Sequence, residues 1–197
     1  MLGMLKMKSW LNSHYEFLTE EDLEFFRPHL VERSLGRDEL ILTEGRCCRQ
    51  MSFVISGAFR MFYLSDGSEI NAHFFIENDF MVDFDSFLRQ TPSKYSIQAL
   101  EKSRIVSFDH EVLWAAYDRS KNWERFGRLM AQHCSTMVTE RLEKFLFMDG
   151  TGRYLRLMED NPRIFDRVPL YHLASYLGME RESLSRIRNK ITRGCRL

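Results

Sequence analysis

Apolar residues recur with two different rhythms along the chain, and each rhythm predicts a different kind of element. Residues 4–30 read as helical and amphipathic, with Leu18, Leu23, Phe25, Phe26 and Leu30 on the apolar side. Thr19 followed by Asp22 has the spacing of a capping box, with Asp in the place of the usual Glu. From about Val31 to Asp109 the rhythm shortens. Segments 40–45, 51–57, 58–64, 69–75, 95–100 and 104–109 are short runs rich in β-branched and aromatic residues, which predicts strands. Asp66-Gly67 between two such runs marks a hairpin. Evenly spaced antiparallel strands imply a jelly roll or barrel-like sandwich. Residues 83–94 interrupt them as a short helix followed by a loop at Pro92.

Beyond Glu111 the helical rhythm returns, first in a short helix and then in one of about seven turns. Phe126, Met130, Cys134, Met137, Val138, Leu142 and Phe145 form its apolar stripe. A helix this long leaves part of such a stripe uncovered, and a coiled coil between two copies covers it most simply. The expected partner is therefore a second copy of the chain, joined through the 122–148 helix.

Val168 to Ile191 carries the most informative pattern. Pro169 suits a first helical position, and Leu170, Leu173, Ala174 and Leu177 follow on one face. Gly178 offers a left-handed turn, and a second helix starts near Arg181. In that helix Leu184, Ile187 and Ile191 form the inward stripe. Arg181 at its start, and Glu182, Ser185, Arg186 and Asn189 on another face, present groups that read base edges. This is a helix-turn-helix, and double-stranded DNA is the partner it predicts. Glu180 is a poorer cap for the second helix than Ser, Thr, Asp or Asn. The chain thus divides into 1–110, N-terminal helices with a strand-rich, jelly-roll-like body; 111–148, connecting and dimerisation helices; and 149–197, a DNA-binding domain.

Composition and charge sharpen this reading. The 197 residues are 44% hydrophobic and 28% charged, which specifies a globular chain with a sizeable core. The net charge of zero conceals an asymmetry. Residues 150–197 hold ten basic and five acidic side chains, a net of +5, so the remainder carries −5. A basic end on an acidic body fits one nucleic-acid-binding part and one part with another task. Cys47, Cys48, Cys134 and Cys195 have neither Cys-x-x-Cys nor metal-site spacing, so free thiols in a reducing compartment are expected. The start of the chain has no apolar run long enough for a signal peptide or a membrane span, which implies a cytoplasmic protein with no membrane partner. No nucleophile–base pair, metal-ligand spacing or P-loop points to an enzyme, a metal or a cofactor. His73, alone in its strand with Phe75 two residues on, reads as a strand residue rather than a metal ligand.

Residues 173–186, LASYLGMERESLSR, resemble the recognition motif of the Crp/Fnr transcription regulators, L-A-x-x-L-G-x-x-R-E-[ST]-x-[SG]-R. The resemblance extends over about residues 35–192. It includes Glu44-Gly45, the Val54 to Gly57 turn and the segment FMDGTGRYLRLM, which is similar to the family's hinge into the DNA domain. It implies an α+β chain: an antiparallel, jelly-roll-like β-roll, a long dimerisation helix and a C-terminal helix-turn-helix. With Leu197 six residues past Ile191, little room follows for a β-hairpin wing, and Arg193 and Arg196 are candidate phosphate contacts from the tail. The resemblance also implies roles for Arg181, Glu182 and Arg186 at bases and phosphate, and RNA polymerase as a candidate partner. Gly150 and Gly152 fall where such a head could reorient.

The effector cassette departs from the family's pattern. Val82 and Asp83 stand where the family's nucleotide-binding members carry Gly-Glu, and Lys94-Tyr95 where they carry Arg-Ser. Asp85 adds a second carboxylate, and Lys cannot form the bidentate fork of Arg. Thr139 falls near the position from which the family's helix reaches the nucleotide, beside a Val138 that lacks a hydroxyl. Control by a cyclic nucleotide is not expected, and Phe84, Phe87 and Tyr95 are expected to fill the pocket. The alternative is a small-molecule sensor or interaction module in which the β-roll works and DNA contact is weak and non-specific.

Overall fold

The computed structural model describes residues 2–194. Cys195 and Arg196 lie outside the described residues, as does the side chain of Arg193. The order is α1 (Leu2–His14), α2 (Glu20–Phe26), β1 (Val31–Leu35), β2 (Leu40–Leu42), β3 (Gln50–Ser56), β4 (Phe59–Ser65), β5 (Ser68–Phe75), β6 (Phe80–Met81), α3 (Phe84–Arg89), β7 (Ser96–Ala99), β8 (Ser103–Asp109), α4 (His110–Arg119), α5 (Lys121–Phe147), α6 (Gly150–Asp160), α7 (Leu170–Leu177) and α8 (Arg181–Gly194). Short 3₁₀ turns at Arg27–His29 and Pro162–Asp166 join α2 to β1 and α6 to α7.

The strands form two antiparallel sheets, ordered β1-β8-β3-β6 and β2-β7-β4-β5. Each of the six expected strands is present, and β1 and β6 complete the roll. β6 is two residues long, too short for alternation to reveal. At the β4–β5 hairpin Ser65 pairs with Ser68, and Asp66 and Gly67 both take positive φ, the conformation this two-residue turn requires. The expected N-terminal helical stretch is two helices. The Thr19–Asp22 capping box starts the second, with each side chain accepting from the other residue's backbone N–H.

Sheet β1-β8-β3-β6 is covered on its outer face by α1, α2 and the first turns of α5. Trp10 packs on Phe53 and Phe80 with ring centroids 5.4 and 5.8 Å apart, and Phe26 lies against Phe108 and Trp123 at 5.0 and 4.2 Å. This double coverage explains why β3 is buried at nearly every position instead of at alternate ones. A second apolar cluster joins Ala58, Phe74, Ile76 and Leu100 of the roll to Tyr154, Ile164, Leu173 and Leu177 of the C-terminal helices.

Two local expectations are corrected. Pro169 caps α7 rather than opening it. Its ring sets φ at −55°, but ψ is 143°, and its carbonyl accepts from His172 and Leu173. Gly150 and Gly152, the place expected for reorientation, lie inside the first turn of α6 and are helical. Asp149 caps that turn by accepting from the Gly152 N–H at 2.7 Å, so the interruption is confined to Met148 and Asp149.

Candidate nucleic-acid interface and effector pocket

The helix-turn-helix is built from α7 and α8. Gly178 takes φ 65° and ψ 46°, a conformation that penalises a Cβ, and its N–H closes α7 on the carbonyls of Ala174 and Ser175. A Cβ at Gly178 would also stand 2.7 Å from Phe145 of α5, so two constraints select glycine here. Leu184 is fully buried, and Ile187 and Ile191 are half-buried, which orients α8. Arg181, Glu182, Arg186 and Asn189 are exposed, and Ser185 is half-buried beside them. Among the described residues, no side-chain hydrogen bond or ion pair is seen for Arg181, Glu182, Arg186 or Asn189, so their side-chain donors and acceptors face solvent.

The effector-cassette residues divide in two: the Ser93 hydroxyl joins Asp83 to the Tyr95 N–H, at 2.6 and 2.9 Å, whereas Lys94 and Thr139 are exposed. Val82 and Asp83 are buried at the start of α3. The Asp83 carboxylate caps that helix, accepting from the Ser86 N–H at 3.5 Å, and accepts the Ser93 hydroxyl at 2.6 Å. Lys94 is exposed. Tyr95 is half-buried edge-on to Tyr63 at 5.8 Å, and Phe84 and fully buried Phe87 belong to the roll's core. Thr139 is exposed, and its hydroxyl donates to the Ser135 carbonyl one turn back at 3.0 Å. His73 lies edge-on to Phe75 at 4.6 Å, and burial, with Arg141 and His133 nearby, pushes its pKa down to about 4.

Sequence reasoning missed the seam that seats the C-terminal head, α6 to α8, on the roll. Arg60, buried in β4, donates to Gln98 at 2.8 Å, pairs with Glu69 and reaches His172 Nδ1 of α7 at 3.2 Å. Asn71 Nδ2 approaches the same Nδ1 at 3.3 Å. Two donors aimed at one ring nitrogen require it to be an acceptor, so His172 is neutral; burial, then Arg60, pushes its pKa down to about 4. Ser175 accepts from the Asn71 N–H at 3.0 Å and donates to the Glu69 carbonyl at 2.9 Å. Arg167 forks onto Glu77 at 2.7 and 2.9 Å and also holds Glu101. Burial works to raise the Glu77 pKa, but the Arg167 fork and the Gly57 N–H outweigh it and hold it at about 2. Arg141 of α5 donates to the carbonyls of Asn71 and Tyr176 at 3.3 and 3.1 Å, tying roll, long helix and head together. One signal was available: an arginine in the middle of the apolar strand AFRMFYL.

On α5, Trp123, Phe126 and Met130 are buried, whereas Val138, Leu142, Leu146 and Phe147 are 58–82% exposed. The uncovered part of the stripe is thus its C-terminal half.

Residues 32–120 match the family model of the cyclic nucleotide-binding domain. A search by sequence finds no match among curated proteins. Among solved structures, FixK2 from Bradyrhizobium japonicum superposes with a TM-score of 0.75 at 18% identity, over 84% of this chain and 86% of that one. The c-di-GMP-responsive global regulator CLP of Xanthomonas campestris gives 0.69 at 18%, over 89% and 93%. The catabolite activator protein of Thermus thermophilus gives 0.56 at 19%, over 91% and 86%. The chain has the Crp/Fnr regulator fold: a β-roll, a long helix and a C-terminal helix-turn-helix. No described helix is long and apolar enough to cross a membrane.

Proposed function

We propose that the chain is a sequence-specific DNA-binding transcription regulator, not an enzyme, that binds a near-palindromic operator as a homodimer. The observation that carries this reading is the outward polar face of α8, where Arg181, Glu182, Arg186 and Asn189 stand exposed on a helix seated by Leu184. Arg186 donates to guanine O6 and N7, Glu182 accepts from a cytosine amino group, and Arg181 holds phosphate or guanine. Residues 1–110, 111–148 and 149–197 act as sensing, dimerising and reading parts. The exposed Val138, Leu142 and Leu146 of α5 pair two copies so that two recognition helices enter successive major grooves, about 34 Å apart.

A cyclic nucleotide is not the controlling ligand in this reading. A phosphate at the start of α3 would meet the buried Asp83 carboxylate, which already occupies the helix amides, and Lys94 points to solvent.

Selection from random duplex DNA at physiological salt, with no added ligand, tests the proposal. A two-fold-symmetric motif with half-sites one turn apart is expected. Recovery of no motif, or of binding that collapses with salt without sequence preference, would refute it. Arg186→Ala should cost about 1–3 kcal/mol on the selected site and relax preference at one base pair, as read by competition binding.

A further inference from the structure

The structure contains an apolar cavity of about 210 Å³ between α1, α2 and the first turns of α5, on the side of the roll away from the reading head. Met7, Leu11, Leu23, Phe26, Trp123 and Phe126 line it, each at most 7% exposed. Voids of this size are costly in a folded core, because the wall atoms lose dispersion contacts and nothing replaces them. An apolar cavity of about 150 Å³ suffices for benzene.

The mouth is equally informative. Leu5, 63% exposed, stands at it with Lys8, Glu24 and Arg27. These charges are already matched: Lys8 pairs with Glu20 and with Glu24, and Arg27 with Glu24 at 3.2 Å. With Glu20 included, two cations face two anions, so no unmatched charge invites an ionic ligand. The remaining polar groups nearby are also engaged. The Trp123 indole N–H donates to the Asp22 carbonyl at 3.1 Å, and the Asp22 carboxylate accepts from Ser120 and Asn122.

We propose that this cavity is a binding site for a neutral, predominantly apolar small molecule of one or two aromatic rings. The site is separate from the cassette at α3 and from the α8 surface, so it does not rest on the DNA-binding reading. Two of its walls, Trp123 and Phe126, belong to the first turns of the long helix, so occupancy braces the root of the element that carries the reading head.

Calorimetric titration of the full chain with indole, alongside a thermal-shift measurement, tests the proposal. One indole per chain, with a raised Tm, is expected. The anion indole-3-carboxylate should bind at least tenfold more weakly, because its charge would have to be desolvated. Leu23→Phe, which puts a ring into the void, should weaken indole at least tenfold while leaving Tm at or above that of the parent. Should Leu23→Phe fail to fold, Met4→Phe at the edge of the cavity makes the same measurement. No saturable binding, equal affinity for the carboxylate, or unchanged indole affinity in the folded filling variant would each overturn the assignment.

Discussion

The two outer faces of the β-roll are covered in opposite ways. Sheet β1-β8-β3-β6 meets α1, α2 and α5 through tilted and edge-on rings, Trp10 against Phe53 and Phe26 against Phe108 and Trp123. Sheet β2-β7-β4-β5 meets α7 through a seam that mixes Phe74–Tyr176 packing with a buried polar set, Arg60, Asn71 and His172. The apolar face gains from leaving water and has no good alternative partner. The polar seam gains little net free energy from each bond, because water competes for the same groups when the surfaces part. The first arrangement makes a permanent body. The second makes a seat whose directional polar bonds specify position, set beside the apolar cluster that joins Phe74 and Leu100 to Leu173 and Leu177.

Mutations can break this contrast. The largest effect is expected at the ring-packed face: Phe26→Ala should cost about 3–5 kcal/mol and lower the melting temperature of the whole chain, measured by denaturant titration. Arg60→Ala should cost about 1–3 kcal/mol, and its effect should be local. Amides of α7 should lose hydrogen-exchange protection while those of β3 and β8 keep it; equal loss in both would show that the faces form one cooperative body. Gly178→Ala should cost about 1–2 kcal/mol from the left-handed backbone, with Phe145 displaced in addition, and should loosen α7 against α5.

The smallest and most graded effect is that of pH. His172 is held neutral with its pKa at about 4, below its ordinary 6.5, so the unfolded or undocked form takes up the proton first. Its contribution to the seam is complete above pH 6.5 and is lost as pH falls from 6.5 to 4. Glu77 is depressed to about 2 from 4.5, so the Arg167 fork contributes above pH 4.5 and is lost between 4.5 and 2. Both losses weaken the seam on acidification. Asp79, raised to about 6 by burial, has the opposite sign, and it lies within the roll's own turn, bonding the Ile76 N–H. His73 of β5, also pushed down to about 4, loses its contribution over the same range as His172, so exchange protection of α7 and β5 should fall from pH 6.5 downward before that of β3. Simultaneous loss would contradict the contrast.

Much of this architecture was legible beforehand because it is encoded locally. Strand alternation, the Asp66-Gly67 hairpin, the Thr19–Asp22 box and the α7–Gly178–α8 pattern each depend on residues within one or two turns of one another. The α8 polar face was readable for the same reason, since helical periodicity alone brings Glu182, Ser185, Arg186 and Asn189 onto one side. What escaped was short or non-local. β6 is recognisable only because Ser52 and Phe53 pair with it, and the helical start of Gly150 depends on the Asp149 cap outweighing two residues of low helix propensity. The cassette residues were grouped by sequence position, whereas the structure turns Asp83 inward onto Ser93 and Lys94 outward.

The sequence by itself determined which residues form helices and strands, and which face of α8 is polar. Those properties follow from steric preference and periodicity over a few residues. Only the tertiary structure decided what covers each apolar stripe: why Trp123 and Phe126 are buried while Leu142 and Leu146 on the same helix are exposed, and why Arg60 of a strand meets His172 of a helix 112 residues away. Burial and hydrogen bonding depend on which surfaces meet in space, and contacts at that separation leave no periodic trace in the chain.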